Sequence, residues 1–582
     1  MRIFTPIVFL VVCILSPQTA NADNFTAGSQ TGRLYGVHEI SVESGSYSNV
    51  NPFDVICQIE FTSPSRKSIK VKAFYDGDRV WKARLYVTEV GQWTWDSSSP
   101  VNELDKKGGS FDAITSSLRG KLRKHDDDPK QWMTDNGKWF LNLSDTAYRL
   151  FNKEVTAAQF ERYVMDVSNL GFTSVRAGGL GGWDWGKRSV VMGSENQNSS
   201  NWPWEGDDKT RYDLEKFQTT DERLIFLLNN YPELYVQLIL FGLVEWATPR
   251  HGETWDAIPE STKANTMAYM LARWAAFPQV FWLIVNDLDV RPEFPKNRSF
   301  CRNVGNFLTK NDLWKSLVSC GPIREQLYPF VSKEDQQWST YIHIENDYNV
   351  SASYADEYAS IPVHVFAGED RYEHDYVDKE PMFPQYYYRR LFWSWLLSGG
   401  SANYAGRYPY IHPYTQTGKL PAVVQGARYD RKLVGADSIK HIKPFFAKHD
   451  ISLDGWRSCD NIVYKASGVF SKIEGFFKKD SRRVKCIKSE SSKNILLYHP
   501  NAQDGFEEEG FGADRRINVN TERTAELWIK LPPVGGSFDV IWLRAENGEI
   551  RNGEQLNDNQ EAHMKAPWRG SDVLLYLSKS SL

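Results

Sequence analysis

Two stretches of the chain set acids directly behind apolar runs. Val280-Phe281-Trp282-Leu283-Ile284-Val285 is unbroken, and Asn286-Asp287 follows it. Val363-His364-Val365-Phe366 leads through Ala367 and Gly368 into Glu369-Asp370, with Tyr372 and Glu373 close behind. Cleaving a glycosidic bond needs one carboxyl to protonate the leaving oxygen and a second to act on the anomeric carbon or on water. Asp287 and Glu369 are the candidate pair. Asn286 is placed to hydrogen-bond a sugar 2-hydroxyl, and Tyr372 and His343 to orient a nucleophile. Each residue also has a plainer use. Asp287 could cap a following helix. Glu369 could pair with Arg371 or Arg176. Glu373 is the rival carboxylate, further from the end of its run.

Other polar groups follow apolar runs in the same way. Asp145 follows Trp139 to Leu143 and reads as either a helix N-cap or a sugar ligand. Arg176 ends Phe172 to Val175 and suits a buried partner for a carboxylate. Glu245-Trp246, His343, Glu345 and Asn403-Tyr404 complete the set. His343 fits a hydrogen-bonding role better than that of the acid. The loop Gly178-Gly179-Leu180-Gly181-Gly182-Trp183-Asp184-Trp185 has neither the Lys-Ser/Thr ending nor the dinucleotide spacing of a phosphate cradle. With Trp202 and Trp204 it forms either an aromatic lip over a sugar cleft or rings buried under a neighbouring domain. The chain carries 21 Trp, 28 Tyr and 31 Phe, enough for both a large core and sugar-stacking surfaces.

The elements that would position these groups alternate. From 119 to 450, short apolar runs alternate with amphipathic stretches such as Ala157 to Leu170, Asp213 to Leu228, Ser261 to Ala276 and Gln385 to Leu397. Alternating strands and helices predict a parallel sheet. Eight runs can be counted. The fifth is Tyr341 to Ile344, a weak sixth lies near Tyr354, and the eighth is Ser401 to Tyr404. The expected fold is an α/β TIM barrel, (β/α)₈, whose active site gathers at the C-terminal ends of the strands. Strands four and seven then lie on opposite sides and can bring two carboxyls to about 5 Å, the separation used with retention; about 6.5 to 9.5 Å belongs to inversion. Residues 23–118 and 451–582 read as all-β, with turn signals such as Asp76-Gly77 and Asn547-Gly548 between short runs. They are expected to be N- and C-terminal β-sandwich domains flanking the barrel.

Residues 1–22 read as a signal peptide. Arg2 precedes the apolar stretch Ile7 to Leu15, and Ala20-Asn21-Ala22 resembles a cleavage site. The expectation is a secreted or periplasmic protein without a membrane span. Five cysteines remain beyond the leader, too few and too scattered for a dense disulfide framework or a zinc site. Cys301–Cys320 and Cys459–Cys486 are candidate pairs. A net charge of −4 and no basic tract argue against a nucleic-acid partner. No cofactor or metal is expected, and the expected partner is a polysaccharide or oligosaccharide.

Several of these segments together resemble the apiosidase-like barrel family. They are Gly137 to Tyr148, Gly171 to Arg176, Pro362 to Glu373 and Leu397 to Gly406. The region around Tyr75-Asp76-Gly77, Trp81 and Gly91 to Trp95 is similar to an uncharacterised sandwich found before such barrels. The last domain is similar to a C-terminal sandwich that carries a collagen-binding label. The resemblance implies a clan A retaining glycoside hydrolase, with Asp287 as acid/base on strand four and Glu369 as nucleophile on strand seven. Most of the clan has Asn-Glu on strand four; Asn286-Asp287 here matches the apiosidase-like branch. It further implies a plant or algal polysaccharide, or its oligosaccharides, as substrate. The competing expectations are a non-catalytic carbohydrate-binding protein on a degenerate barrel and an adhesion module built on the flanking sheets.

Overall fold

The computed structural model describes residues 24–45, 50–148, 150–153, 155–179, 203–205, 208–241, 258–324, 326–345, 349–369, 373, 384–405, 434–468, 483–504 and 517–580. Its centre is a sheet of eight parallel strands. In chain order these are β1 (Leu143–Thr146), β2 (Ser174–Gly178), β3 (Tyr235–Phe241), β4 (Val280–Val285), β5 (Val318–Ser319), β6 (Ile342–Glu345), β7 (Val365–Glu369) and β8 (Ser401–Tyr404). They pair in the order β5-β4-β3-β2-β1-β8-β7-β6, a nearly closed barrel. Thr340 bridges the seam between β5 and β6. Its N–H donates to the Val318 carbonyl (2.9 Å), and its Oγ1 accepts from the Val318 N–H (2.7 Å).

Two strand assignments differ from the sequence expectation. The run at Tyr341 to Ile344 is β6, not strand five. The residues near Tyr354 form a short helix, Ser353–Glu357. The fifth strand is Val318–Ser319, only two residues long. A strand that short shows no alternation to read. β1 also begins later than the run Trp139 to Leu143, because Phe140 serves the barrel floor.

That floor is a cluster of Leu122, Trp132, Phe140, Tyr235, Phe281, Leu317, Tyr341 and Phe366. An antiparallel hairpin, Leu122–Lys124 with Trp132–Thr134, carries Trp132 into it. The hairpin stops the N-terminal end of the barrel with large rings, so the open end is the one where the acids stand.

Helices cover the outside: α1 (Ala157–Asn169), α2 (Leu214–Asn230), α3 (Glu260–Trp274), α4 (Pro295–Asn311), α5 (Ser353–Glu357), α6 (Gln385–Leu396), α7 (Val434–Ile439) and α8 (Ile442–Lys448). The start of α1 is fixed by a capping box, Thr156 with Gln159, which satisfies two end groups reciprocally. Its buried Phe160, Tyr163, Val164 and Val167 recur at helical spacing and form one face against the barrel. Asp213 caps α2 by accepting from the Lys216 N–H.

The flanking regions are rich in sheet. The first holds a four-stranded and a five-stranded sheet, which touch where the His38 ring stacks on Phe111 at 3.6 Å. The last holds a seven-stranded and a three-stranded sheet. Its Asn547-Gly548 turn joins Ser537–Arg544 to Ile550–Asn552, with Gly548 at φ 75°. Cys459–Cys486 is a disulfide in this region. Cys57, Cys301 and Cys320 are buried thiols, the last two with sulfurs 2.6 Å apart. Among the described residues no helix is long and apolar enough to cross a membrane.

Candidate active site

Alternation along the strands decides which polar groups enter the barrel. β2 turns Arg176 inward, fully buried. Its Nε donates to Gln237 Oε1 of β3 (2.9 Å), its Nη2 to Asn286 Oδ1 just past β4 (2.6 Å), and its Nη1 to Thr146 Oγ1 of β1 (3.3 Å). The guanidinium carbon also lies 5.2 Å from the Tyr148 ring centroid. Thr146 Oγ1 accepts a second bond, from Asn403 Nδ2 of β8 (2.6 Å). A planar donor fork thus ties four strands into one network.

Gln237 extends that network to β6. Its Nε2 donates to Tyr341 Oη (2.8 Å) and lies 3.2 Å from His343 Nδ1. Burial, helped by the Arg176 charge, holds the His343 pKa well below the usual imidazole value. The ring is therefore neutral. With Nδ1 accepting from Gln237, the proton sits on Nε2. The ring lies under the backbone of β7, where an ideal Cβ on Gly368 would come within 2.0 Å of His343 Cε1. Only glycine admits this approach, and Glu369 is the next residue.

The two candidate carboxylates end β4 and β7. Asp287 is partly exposed and has φ 50°, the left-handed region, which Asp tolerates better than most residues. Glu369 is the last residue of β7, and its Cα pairs with that of Glu345 on β6 after a register shift. In the strand order, β4 and β7 are separated by β3, β2, β1 and β8 on one side and by β5 and β6 on the other. They face each other across the mouth. Asn286, directly before Asp287, is 1% exposed.

Four of the sequence candidates therefore meet: Arg176, Asn286, His343 and Asn403, with Asp287 and the backbone of Glu369 at their rim. Two others do not. Asp145 lies within β1 rather than beyond it, and its parity turns it outward. Its Oδ2 accepts from Tyr163 Oη of α1 (2.6 Å) and its Oδ1 from the Thr146 N–H (2.8 Å). Burial pushes its pKa up to about 7, opposed by those two bonds. Glu373 is fully buried outside the barrel. Its carboxylate accepts from the Gly435 N–H (3.0 Å) and from the hydroxyl of Tyr404, whose ring packs against Tyr388 of α6. Both placements give these acids structural work between the barrel and its helices. Trp183, Trp185, Glu245, Trp246 and Tyr372 lie outside the described residues, as do Leu180, Gly181, Gly182 and Asp184 of the glycine-rich loop and Trp202. Trp204 is 3% exposed, in the main core rather than on a lip.

Thr146, Tyr148, Gln237 and Tyr341 are site residues that the sequence reading missed. Gln237 carried a usable signal, as the single amide in Tyr235–Phe241. The donors and acceptors here suit sugar hydroxyls and a pair of carboxyls. Among the described residues no group of three or more His, Cys, Asp or Glu side chains is placed to hold a metal ion.

A nearly closed parallel barrel with buried amides and acids at its C-terminal mouth is the architecture of a barrel glycosidase. Residues 127–452 match the family model described as Apiosidase-like, catalytic domain. That is more than half of the chain, and the chain belongs to the apiosidase-like family. Residues 31–100 match the Domain of unknown function (DUF5060). No curated protein matches the sequence. Among solved structures, a Bacteroides vulgatus protein assigned to the glycoside hydrolases aligns at TM-score 0.69 and 16% identity, covering 94% of this chain and 100% of its own. A glycoside hydrolase family 5 protein from the same species aligns at TM-score 0.57 and 14% identity, over 79% of this chain and 93% of its own. A third structure, titled glycoside hydrolase, aligns at 0.55 and 13%, over 80% and 98%. At such identities the structural likeness is one of fold. Membership of the apiosidase-like family makes the protein a glycosidase, with a carbohydrate as its substrate.

Proposed function

We propose that the protein is an exported, retaining glycosidase of plant or algal polysaccharide or its oligosaccharides, with Asp287 as acid/base and Glu369 as nucleophile. The observation that carries the assignment is the buried bond from Arg176 to Asn286. It fixes the residue before Asp287 at the tip of β4, opposite the tip of β7. In the first step the Glu369 carboxylate attacks the anomeric carbon. The glycosidic C–O bond breaks as the Asp287 carboxyl gives its proton to the leaving oxygen. In the second step the Asp287 carboxylate takes a proton from water, whose oxygen attacks the same carbon and releases Glu369. The neutral His343 offers its Nε2–H beneath Gly368 and so helps orient the nucleophile strand. The Nδ2 group of Asn286 is the donor for the sugar 2-hydroxyl. Asp is one methylene shorter than Glu, which calls for a sugar bound closer to β4. Within this reading the paired sheets at either end are sandwiches with boundaries near 118 and 450, and residues 1–22 are a leader removed on export.

The test is a panel of pectic and algal polysaccharides with sugar analysis of the products, followed by Glu369→Gln and Asp287→Asn on whichever substrate responds. Both variants should fold, and kcat/KM should fall by about 10²- to 10⁴-fold for Asp287→Asn when the leaving group needs protonation. Proton NMR of the first product should show the anomeric configuration kept. Unchanged turnover in both variants, or an inverted product, overturns the assignment.

A further inference from the structure

The turn after β5 embraces the Asn286-Asp287 dipeptide from outside the catalytic pair. The Gly321 N–H donates to the Val285 carbonyl (2.8 Å), and the Gly321 carbonyl accepts from the Leu288 N–H (3.0 Å). One residue thus clamps the backbone on both sides of Asn286-Asp287. An ideal Cβ there would lie 2.7 Å from the Val285 oxygen, so the clamp needs glycine at 321. The contact continues outward. The Ile323 N–H donates to the Leu288 carbonyl (3.0 Å). Gln326 Oε1 accepts from the Val290 N–H (2.9 Å), and its Nε2 donates to Asp289 Oδ1 (2.8 Å).

The other end of the same turn is fastened across the barrel seam. The Arg324 N–H donates to Glu345 Oε2 (2.6 Å), and Arg324 Nη2 lies 2.6 Å from Glu345 Oε1. The Glu345 side chain is 5% exposed, and its Cα is the partner of the Glu369 Cα. An exposed ion pair holding nothing else is worth little. This one has its carboxylate buried and its guanidinium half-buried, takes a backbone N–H as well, and links a turn gripping one carboxylate's strand tip to the residue beside the other.

We propose that Gly321–Arg324 is a brace between the two strand tips, and that Arg324 and Glu345 are positioning residues that set the spacing of Asp287 and Glu369. The proposal rests on the roles assigned above to those two acids. β5 has two ladder residues and does not pair with β6 as a strand; Thr340 bridges the seam directly, and the Tyr328 hydroxyl links Ser319 to Ser339 beside it. The barrel is weakest where its mouth must hold the spacing, and the brace spans that place. A misplacement of about 1 Å can cost 10²-fold in rate.

The test compares Glu345→Ala, Glu345→Gln and wild type as full-length chains. Hydrogen exchange at the Leu288 and Ile323 amides is the readout independent of activity. Sugar release from the pectic or algal polysaccharide that the wild type degrades is the kinetic one. Glu345→Ala should exchange faster at both amides. Its kcat should fall about 10- to 100-fold with KM within threefold. Glu345→Gln keeps an acceptor for the Arg324 N–H and should stay within about fivefold of wild type in kcat. A folded Glu345→Ala with unchanged exchange overturns the brace, whatever its rate. Faster exchange with an unchanged kcat leaves no positioning role and also overturns it. A Glu345→Gln as inactive as Glu369→Gln would make Glu345 a reacting group instead. If the wild type degrades no member of the panel, the assigned function fails, and the exchange arm still decides the brace.

Discussion

At the scale of single residues, close approach and burial place the chemistry. Gly368 lies against the His343 ring, so Gly368→Ala forces either the ring or β7 to move. Overpacking of this kind costs about 1–3 kcal/mol. The expected result is a lower urea midpoint together with reduced activity. Adding His343→Ala should restore part of the stability and none of the activity; if it restores no stability, the ring is not the cause. Asp145 makes a different prediction. Burial raises its folded-state pKa to about 7, above the unfolded value of about 3.9. The folded chain then binds more protons between those values. The stability contributed by the neutral carboxyl is complete below about pH 4 and is lost as pH rises through about 7. Asp145→Asn removes the titration, so its melting temperature should change less between pH 5 and pH 8 than that of the wild type. An unchanged pH slope would refute the placement of that carboxyl.

At the scale of elements, the seam is the informative part. Thr340→Val keeps the shape but leaves the Val318 N–H without its side-chain acceptor. A lost buried partner costs about 1–3 kcal/mol. Exchange at Val318 should accelerate well before global unfolding; an equal rate in both proteins would show that the backbone bond from residue 340 to the Val318 carbonyl holds the seam unaided. The same region was least legible in the sequence. Strands longer than four residues announced themselves as apolar runs, and capped helices as 3.6-residue patterns. Val318–Ser319 has no pattern to read, and the short helix Ser353–Glu357 carries the apolar spacing that suggests a sixth strand in its place. The acids that end β4 and β7 were unaffected, because each follows a long run. Parity was the harder lesson. Asp145 and Glu373 stand close behind runs, as rim acids do, yet one faces α1 and the other the first turn of α7. Gln237 and Tyr341 were hidden because they lie in apolar runs, and Thr146 because it follows the more conspicuous Ser144-Asp145 at the end of β1.

At the scale of the molecule, the flanking sheets are bolted to the barrel by buried charge. Arg84, on the strand Val80–Tyr86, pairs with Glu39 (2.7 Å) and with Asp221 of α2 (2.8 Å). Arg273 of α3 pairs with the same Asp221 oxygen (2.6 Å) and with Asp76 (2.6 Å), and Trp274 Nε1 donates to the other (2.9 Å). Lys82 pairs with Asp76 at 2.7 Å. At the far end, Arg389 of α6 pairs with Asp572 (2.8 Å), which also accepts from Tyr498 (3.0 Å). Apolar side chains from the first sheets and from the barrel form one continuous core around the first of these networks. A buried charge that keeps all its partners adds little net stability, but removing one partner leaves the others uncompensated at about 3–5 kcal/mol. Asp221→Ala takes one of two carboxylates from each arginine, leaving Arg84 with Glu39 and Arg273 with Asp76, and strands the Trp274 indole N–H, on the barrel side of the contact. Its loss should weaken the attachment of the first region more than the barrel itself. Calorimetry of Asp221→Ala should then resolve an early transition that the wild type lacks, with limited proteolysis releasing the N-terminal sheets first. A single transition shifted as a whole would mean instead that the two regions unfold as one unit and that the shared apolar core, not the charge network, joins them.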